Sequence, residues 1–326
     1  MRSAAFFVTE KSTRMNHSLL LPGWRLSHPT PEDLPAVTDL IAACDSADYG
    51  QADTTIEDMQ ADWRRAGFDP DQHAWLLWTP QGQLAGYTDY WLKDDELYIS
   101  PNTAIHPGMR EQVDELLFYR LAEEYASQQT PRPDWLRTAS LLDRRSRMLE
   151  NEGYQLTRVD WLMEIDLPEP PPPPTWPAGF QLRPFVMERD ARSVHTLIQT
   201  AFRDLPNRRE FSFDEWSKWI VQRADFDPSL CLTAVDPAGS ICGTALCFDY
   251  PTGGWVRQLA VRKDCRGLGL GLAIIQHAFG EFYRRGKRSA GLVVDSQNPT
   301  GAPHLYLKVG MHPALKIITY KKTLDQ

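Results

Sequence analysis

Five consecutive prolines, residues 170–174, interrupt this chain, and on either side of them the sequence restarts. Gly23-Trp24-Arg25-Leu26 returns as Gly179-Phe180-Gln181-Leu182, and Phe68-Asp69-Pro70 returns as Phe226-Asp227-Pro228. Gly82 and Gly86 return as Gly239 and Gly243, and Gly153-Tyr154 as Gly310-Met311. These landmarks keep their order about 157 residues apart, the period of a duplicated domain rather than a short solenoid unit. A chain of 326 residues is also too long for one compact core. The proline run suits only an extended connector. The expected division is a loose tail over 1–20, a first domain over 21–167, a linker over 168–178 and a second domain over 179–326.

Both copies carry the same hydrophobic pattern. In the second, period-two alternation and short apolar runs predict strands over 181–185, 230–235, 241–248, 255–261, 289–294 and 316–323. Helical spacing predicts helices over 188–202, 213–223, 268–285 and 302–308, with Trp216, Trp219 and Ile220 on one face of the second. The predicted fold class is α/β (α+β), two tandem domains, each a mixed and mainly antiparallel sheet flanked by helices.

Between the strand over 255–261 and the helix that follows lies Arg266-Gly267-Leu268-Gly269-Leu270-Gly271. A glycine-rich turn leading into a helix bares main-chain N–H groups where the helix dipole favours negative charge. Arg266 adds a charged fork suited to phosphate oxygens. A nucleoside-triphosphate loop is excluded, because Leu272 and Ala273 stand where Lys and Ser or Thr are needed. The glycine spacing also fails the G-x-G-x-x-G dinucleotide fingerprint.

The pattern R-x-x-G-x-G at Arg266, Gly269 and Gly271, preceded by Leu259-Ala260-Val261, resembles the acyl-CoA loop of the GCN5-related N-acetyltransferases. The resemblance extends through a strand ending at Asp295, then Asn298, Leu305-Tyr306 and Gly310-Met311, and covers about 180–324. It implies acetyl-CoA as co-substrate and no metal. It implies that Leu259, Ala260 and Val261 present their backbone to the pantetheine arm and thioester. The pyrophosphate is expected on the N–H groups of Arg266, Gly267, Leu268, Gly269, Leu270 and Gly271. Tyr306 is the expected general acid, since a phenol stays protonated at neutral pH. Asn298 either holds the coenzyme arm or starts the next helix by capping. Asp249, Tyr250, Glu210, Asp214 and Glu215 are open choices for a general base, and a partly neutral amine needs none.

Laid on the second copy, the first keeps Arg110 at the place of Arg266 but has Glu111, Val113 and Glu115 at the places of the three glycines, and Leu149 at that of Tyr306. Side chains crowd the turn, and a like charge at 4 Å opposes a phosphate by about 4 kcal/mol at an effective dielectric of 20. The first copy is therefore expected to be a degenerate partner domain. A net charge of −8 argues against general nucleic-acid binding. The five cysteines are odd in number, form no C-x-x-C pair, and read as buried thiols. No apolar run approaches a membrane span, so a cytoplasmic protein without membrane or nucleic-acid partners is expected. The expected function is transfer of an acetyl group from acetyl-CoA to a primary amine of a small molecule by the second domain. Transfer to protein or peptide amines, and non-catalytic acyl-CoA binding, are the alternatives. No residue names the acceptor or the oligomeric state.

Overall fold

A computed structural model describes residues 20–324 except 51, 53, 66, 94, 95, 101, 204 and 206–209. The expected tail over 1–20 lies outside the described residues save for Leu20. The chain divides into two compact units, Met1–Arg158 with Ile318–Gln326, and Val159–Ile317. Among the described residues no helix is long and apolar enough to cross a membrane.

The first unit runs β1 (Arg25–Ser27), α1 (Leu34–Tyr49), α2 (Ile56–Trp63), α3 (Pro70–His73), β2 (Ala74–Trp78), β3 (Leu84–Lys93), β4 (Glu96–Ile99), β5 (Ala104–Ile105), α4 (Leu116–Ser127), β6 (Trp135–Ser140), α5 (Asp143–Asn151) and the start of β7 (Gln155–Asp166). Its sheet is antiparallel from β1 through β2 and β3 to β4, then parallel from β4 to β6, with β5 beside β3.

The second unit contains β8 (Gln181–Arg183), α6 (Met187–Phe202), α7 (Phe213–Trp219), β9 (Cys231–Val235), β10 (Ile241–Tyr250), β11 (Gly253–Val261), α8 (Leu270–Arg284), β12 (Ser289–Asp295), α9 (Ala302–Lys308) and the first half of β13 (His312–Thr323). Its strands are ordered β8-β9-β10-β11-β12-β7, antiparallel except for β11 beside β12. The helix α6 forms because Ala191, Val194, Ile198 and Ala201 fall on one buried stripe, with Glu188 and Asp190 suiting the dipole of its first turn. The Asp190 carboxylate accepts from both Nη atoms of Arg183 (2.6 and 2.9 Å) and from the Val186 N–H (2.8 Å), tying β8 to the start of α6. Val194, Ile198 and Trp216 pack with Leu246, Phe248 and Ala260 in one cluster. Ile274, Phe279 and Tyr306 pack with Ala245, Val256 and Leu292 in another, so helices cover both faces.

The unit boundaries differ from the expected ones. Strand β7 continues past residue 158 to form a seven-pair antiparallel ladder with β12, from Asp160↔Asp295 to Asp166↔Ser289. The last stretch of β13 instead joins the first unit, pairing with β6 from Ile318↔Ser140 to Thr323↔Trp135. Each copy's closing strand thus supplies a ladder to the other copy's unit. Alternation in a strand specifies its buried face but not which edge it pairs with, so the linear division over 21–167 and 179–326 missed the exchange.

The repeat itself is visible in side-chain detail. Arg110 Nε donates to the Ile105 carbonyl at 3.2 Å, and Arg266 Nε to the Val261 carbonyl at 3.2 Å. The proline-rich connector carries no helix or strand, in keeping with its sequence.

Candidate active site

Strand β11 is paired with β10 along its whole length, from Gly253↔Tyr250 to Val261↔Gly243. With β12, among the described residues, it is paired only at Gly254↔Ala290 and Trp255↔Gly291. From Val256 onward, among the described residues, β11 has no ladder to β12, so main-chain groups on that edge must find partners other than a neighbouring strand, as the Val261 carbonyl does in Arg266. The parting coincides with a bulge. Leu246 opposes Gln258 and Cys247 opposes Val256, so Arg257 is the extra residue, and such an insertion bends a strand and re-aims its side chains. Leu259 and Val261 lie against the cluster beneath α8, and Ala260 in the cluster beneath α6 and α7.

The open edge leads into the glycine loop. After a short 3-10 turn over Lys263–Cys265, Gly267 (φ +76°) and Gly269 (φ +89°) adopt the left-handed conformation, and α8 begins at Leu270. Gly267, Leu268 and Gly269 are exposed, whereas the Leu270 side chain is buried. No side chain caps the α8 N-terminus, so the first N–H groups of a fifteen-residue helix are left unsatisfied by its own cap. A Cβ on Gly271 would lie 3.3 Å from Leu305 Cδ2 and 3.6 Å from Val261 Cγ2. Glycine there lets α8, α9 and the end of β11 converge.

Arg266 behaves differently from the expected fork. Its Nε donates to the Val261 carbonyl (3.2 Å) and its Nη2 to the Ala201 carbonyl (3.3 Å) in the last turn of α6. A cation suits a helix C-terminus, and two of its donor positions hold the loop to the sheet and to α6 rather than standing free for phosphate.

Tyr306 lies on α9 within the cluster that also contains Leu259 and Val261, and is 6 % exposed. Burial raises its phenol above the ordinary value, and its hydroxyl has no hydrogen-bond partner among the described residues. Asn298 forms a tight turn: its Oδ1 accepts from the Thr300 N–H (3.0 Å) and hydroxyl (2.6 Å). Gly301, not Asn298, occupies the N-cap of α9. The Asn298 oxygen is therefore used locally, and only its amide NH2 remains to donate elsewhere.

Three of the carboxylates considered as bases are engaged in structural contacts. Asp249 pairs with Lys287 at 2.6 Å, Glu210 with Arg203 at 3.1 Å, and Glu215 closes a capping box with Ser212. Asp214 is an exposed residue in the first turn of α7, and Tyr250 stacks on Phe248. Cys265 is buried. Sequence reasoning passed over Arg257, whose guanidinium lies over the Trp219 ring at 4.4 Å. The available signal was a charged residue inside a largely apolar strand.

In the first unit the corresponding turn carries its own charges. Glu115 stands at the N-cap of α4, is 7 % exposed, and pairs with Arg145 (2.5 Å) and Arg144 (3.6 Å). Asp114 Oδ1 accepts from the Leu116 N–H at 3.0 Å. Arg110 is spanned by both oxygens of Asp48 at 2.7 Å each. Asp114 thus meets the first N–H of α4 with a carboxylate of the chain itself, while the Glu115 side chain turns to the two arginines and makes no capping bond.

Residues 191–311 match the model of the acetyltransferase (GNAT) family. A GCN5-related N-acetyltransferase from Sphaerobacter thermophilus superposes with a TM-score of 0.82 at 32% identity, over 93% of this chain and 96% of that one. A tandem GNAT protein from the clavulanic acid biosynthesis pathway shares the fold, with a TM-score of 0.66 at 16% identity, over 93% of this chain and 99% of that one. A mycothiol acetyltransferase of Thermobispora bispora is 30% identical over 173 residues, 51% of this chain and 57% of that protein. The chain thus spans about half the length of the curated relatives it matches. On this structural and sequence likeness, the chain belongs to the GCN5-related N-acetyltransferase family.

Proposed function

We propose that the chain is an acetyl-CoA-dependent N-acetyltransferase that acylates a primary amine of a small molecule, with the second unit catalytic. One observation carries this reading: the edge of β11 is freed at Trp255 and runs directly into the uncapped start of α8. An extended amide-bearing arm needs such an edge, and a pyrophosphate needs such a helix start. The residues present fit acetyl-CoA on both counts, and the coenzyme supplies an activated acyl group with a thiolate leaving group.

The chain's own groups then divide the work. The N–H groups of Gly267 to Gly271 hold the pyrophosphate, the Arg266 N–H being taken by the Lys263 carbonyl (3.4 Å), while the Arg266 side chain keeps the loop in place. The main chain of Leu259, Ala260 and Val261 aligns the arm, and the Leu259 or Ala260 N–H polarises the thioester carbonyl as negative charge develops on its oxygen. The acceptor nitrogen forms its bond to the carbonyl carbon as the carbon–sulfur bond breaks. The Tyr306 hydroxyl gives its proton to the departing sulfur, the nitrogen releases its proton to solvent, and the phenolate takes a proton back from solvent before the next turnover. The Asn298 amide NH2 is left to hold the arm. The likeness to mycothiol acetyltransferases, named for a small-molecule acceptor, favours a small molecule over a protein.

The first unit, whose corresponding turn carries Glu115 and has its first helical N–H taken by Asp114, is read as a degenerate partner that does not bind the coenzyme. The test is release of free thiol from acetyl-CoA in the presence of a panel of small amines. Thiol release that depends on amine supports the function. Coenzyme binding without amine-dependent release from any member contradicts it and leaves a non-catalytic binding protein.

A further inference from the structure

The acceptor's chemistry is written in a corner that the coenzyme does not use. Arg257, the bulged residue of β11, is half-buried, and its guanidinium lies over the Trp219 ring at 4.4 Å. Trp219 is 44% exposed and stacks on Phe211 at 5.7 Å with the planes 28° apart, so the arginine rests on an aromatic shelf open to solvent on α7. Stacking occupies the face of a guanidinium and leaves its five N–H donors pointing outward in the plane.

Among the described residues no carboxylate pairs with Arg257. The acid whose charge acts on it, Asp225, is gripped by Arg223 through two bonds of 2.8 and 2.6 Å. Arg223 itself lies over the Phe248 ring at 5.2 Å. Asp249, at the end of β10, is taken by Lys287. Burial lowers the Arg257 guanidinium from its ordinary value, with Arg223 acting in the same direction and Tyr250 and Asp225 opposing. The corner therefore holds two guanidiniums to one carboxylate. A half-buried guanidinium whose donors meet no carboxylate of the chain is open to a ligand anion.

Position connects this corner to the chemistry. Arg257 precedes Leu259 by two residues, about 7 Å along a strand, on the stretch of β11 edge released from β12. An acceptor with its nitrogen at the thioester can therefore reach the arginine with a group several bonds away. A planar fork of N–H donors matches a carboxylate in two-point geometry.

We propose that Arg257, shelved on Trp219, is a specificity-determining residue that pairs with a carboxylate of the amine acceptor, so that the acceptor class is amines bearing a carboxylate. The proposal rests on the acetyltransferase reading for its direction, and its test is arranged to be independent of turnover. Benzoate and benzamide serve as non-reacting probes, titrated calorimetrically into the full chain and into the Arg257→Gln and Arg257→Lys variants. Acetyl-CoA affinity and thermal unfolding are measured on the same samples.

The expected result is benzoate bound more tightly than benzamide by the parent chain. The benzoate preference falls about tenfold or more in Arg257→Gln, the loss of a charge-assisted hydrogen-bonded pair, and is partly kept by Arg257→Lys. A parent chain that binds benzoate no better than benzamide, or an Arg257→Gln variant that folds and keeps the preference, overturns the proposal. Loss of acetyl-CoA binding or of amine-dependent thiol release with benzoate preference intact would instead strike the function while leaving the anion site standing. In a turnover assay the same pairing predicts a raised KM for carboxylated amines in Arg257→Gln, with kcat changed far less.

Discussion

Trp255 lies opposite Gly291 in parallel register, the last pair that β11 and β12 share among the described residues. The Trp255 ring covers Gly291 so closely that a Cβ at 291 would come within 2.8 Å of Trp255 Cζ3. The ring thus sits at the fork where the sheet opens. Gly291→Ala is expected to destabilise the protein by about 1–3 kcal/mol through overpacking, read as a lower urea midpoint. An unchanged midpoint would show that the ring moves aside freely.

Closing-strand exchange makes the chain's last residues part of the first unit. Ending the chain after Ile317 removes the six-pair ladder to β6. It also removes the Tyr320 hydroxyl contact to Glu150 (3.0 Å), the Lys322–Glu123 pair (2.7 Å) and the Lys321–Glu96 pair. Amide exchange in Trp135–Ser140 is expected to quicken markedly in this truncation, although the cut lies at the far end of the sequence. Protection retained across β6 would contradict the exchange.

Asp190 is 1 % exposed and bound by Arg183, Arg189 and the Val186 N–H. Burial alone pushes its carboxyl up, but the two guanidiniums and the N–H outweigh it and hold the group well below the usual carboxylate range. A depressed folded value means stability fully present above the unfolded pKa near 3.9 and lost as pH falls further toward the folded value. Asp190→Asn is expected to cost about 1–3 kcal/mol at neutral pH, since it weakens charge-assisted hydrogen bonds to two partly exposed guanidiniums and the Val186 N–H. The difference from the parent should shrink below about pH 4, as urea unfolding at pH 7 and pH 3 would show.

Tyr306→Phe removes one oxygen from a buried ring, so the fold and the coenzyme dissociation constant should persist. If the phenol is the acid, kcat falls by about 10²–10⁴-fold. Burial raises the Tyr306 pKa, which extends the protonated, donating form upward in pH. The parent enzyme should therefore show no loss of kcat traceable to this group below about pH 10. A variant with parental kcat for every active amine would remove Tyr306 from the chemistry.

Much of this architecture is legible in the chain because local pattern and fold agree. The helix expected over 302–308 is Ala302–Lys308, and the strand expected over 255–261 is Gly253–Val261. The helix expected over 213–223 stops at Trp219: Ile220 is buried, but the chain beyond it turns away from the helical course. Duplicated landmarks also placed Arg110 and Arg266 in equivalent contacts. Partners were harder to read. Residues 160–166 and 318–323 form strands, yet nothing in their residues names the ladder they join. Nor does an arginine's identity say whether its donors face solvent or a carbonyl, and so Arg266 was read as a free fork and Arg257 was not read at all.

The most direct measurement is calorimetric titration of acetyl-CoA into the parent chain and into a Gly269→Val/Gly271→Val variant shown by circular dichroism to be folded. Valine at 269 must adopt a left-handed conformation unfavourable by roughly 1–2 kcal/mol, and at 271 it meets Leu305 and Val261. One coenzyme per parent chain is expected, with affinity reduced at least about tenfold in the variant as main-chain N–H contacts to phosphate are lost. Two equivalent sites per chain, or parental affinity in the folded variant, would contradict coenzyme binding by the glycine loop of the second unit.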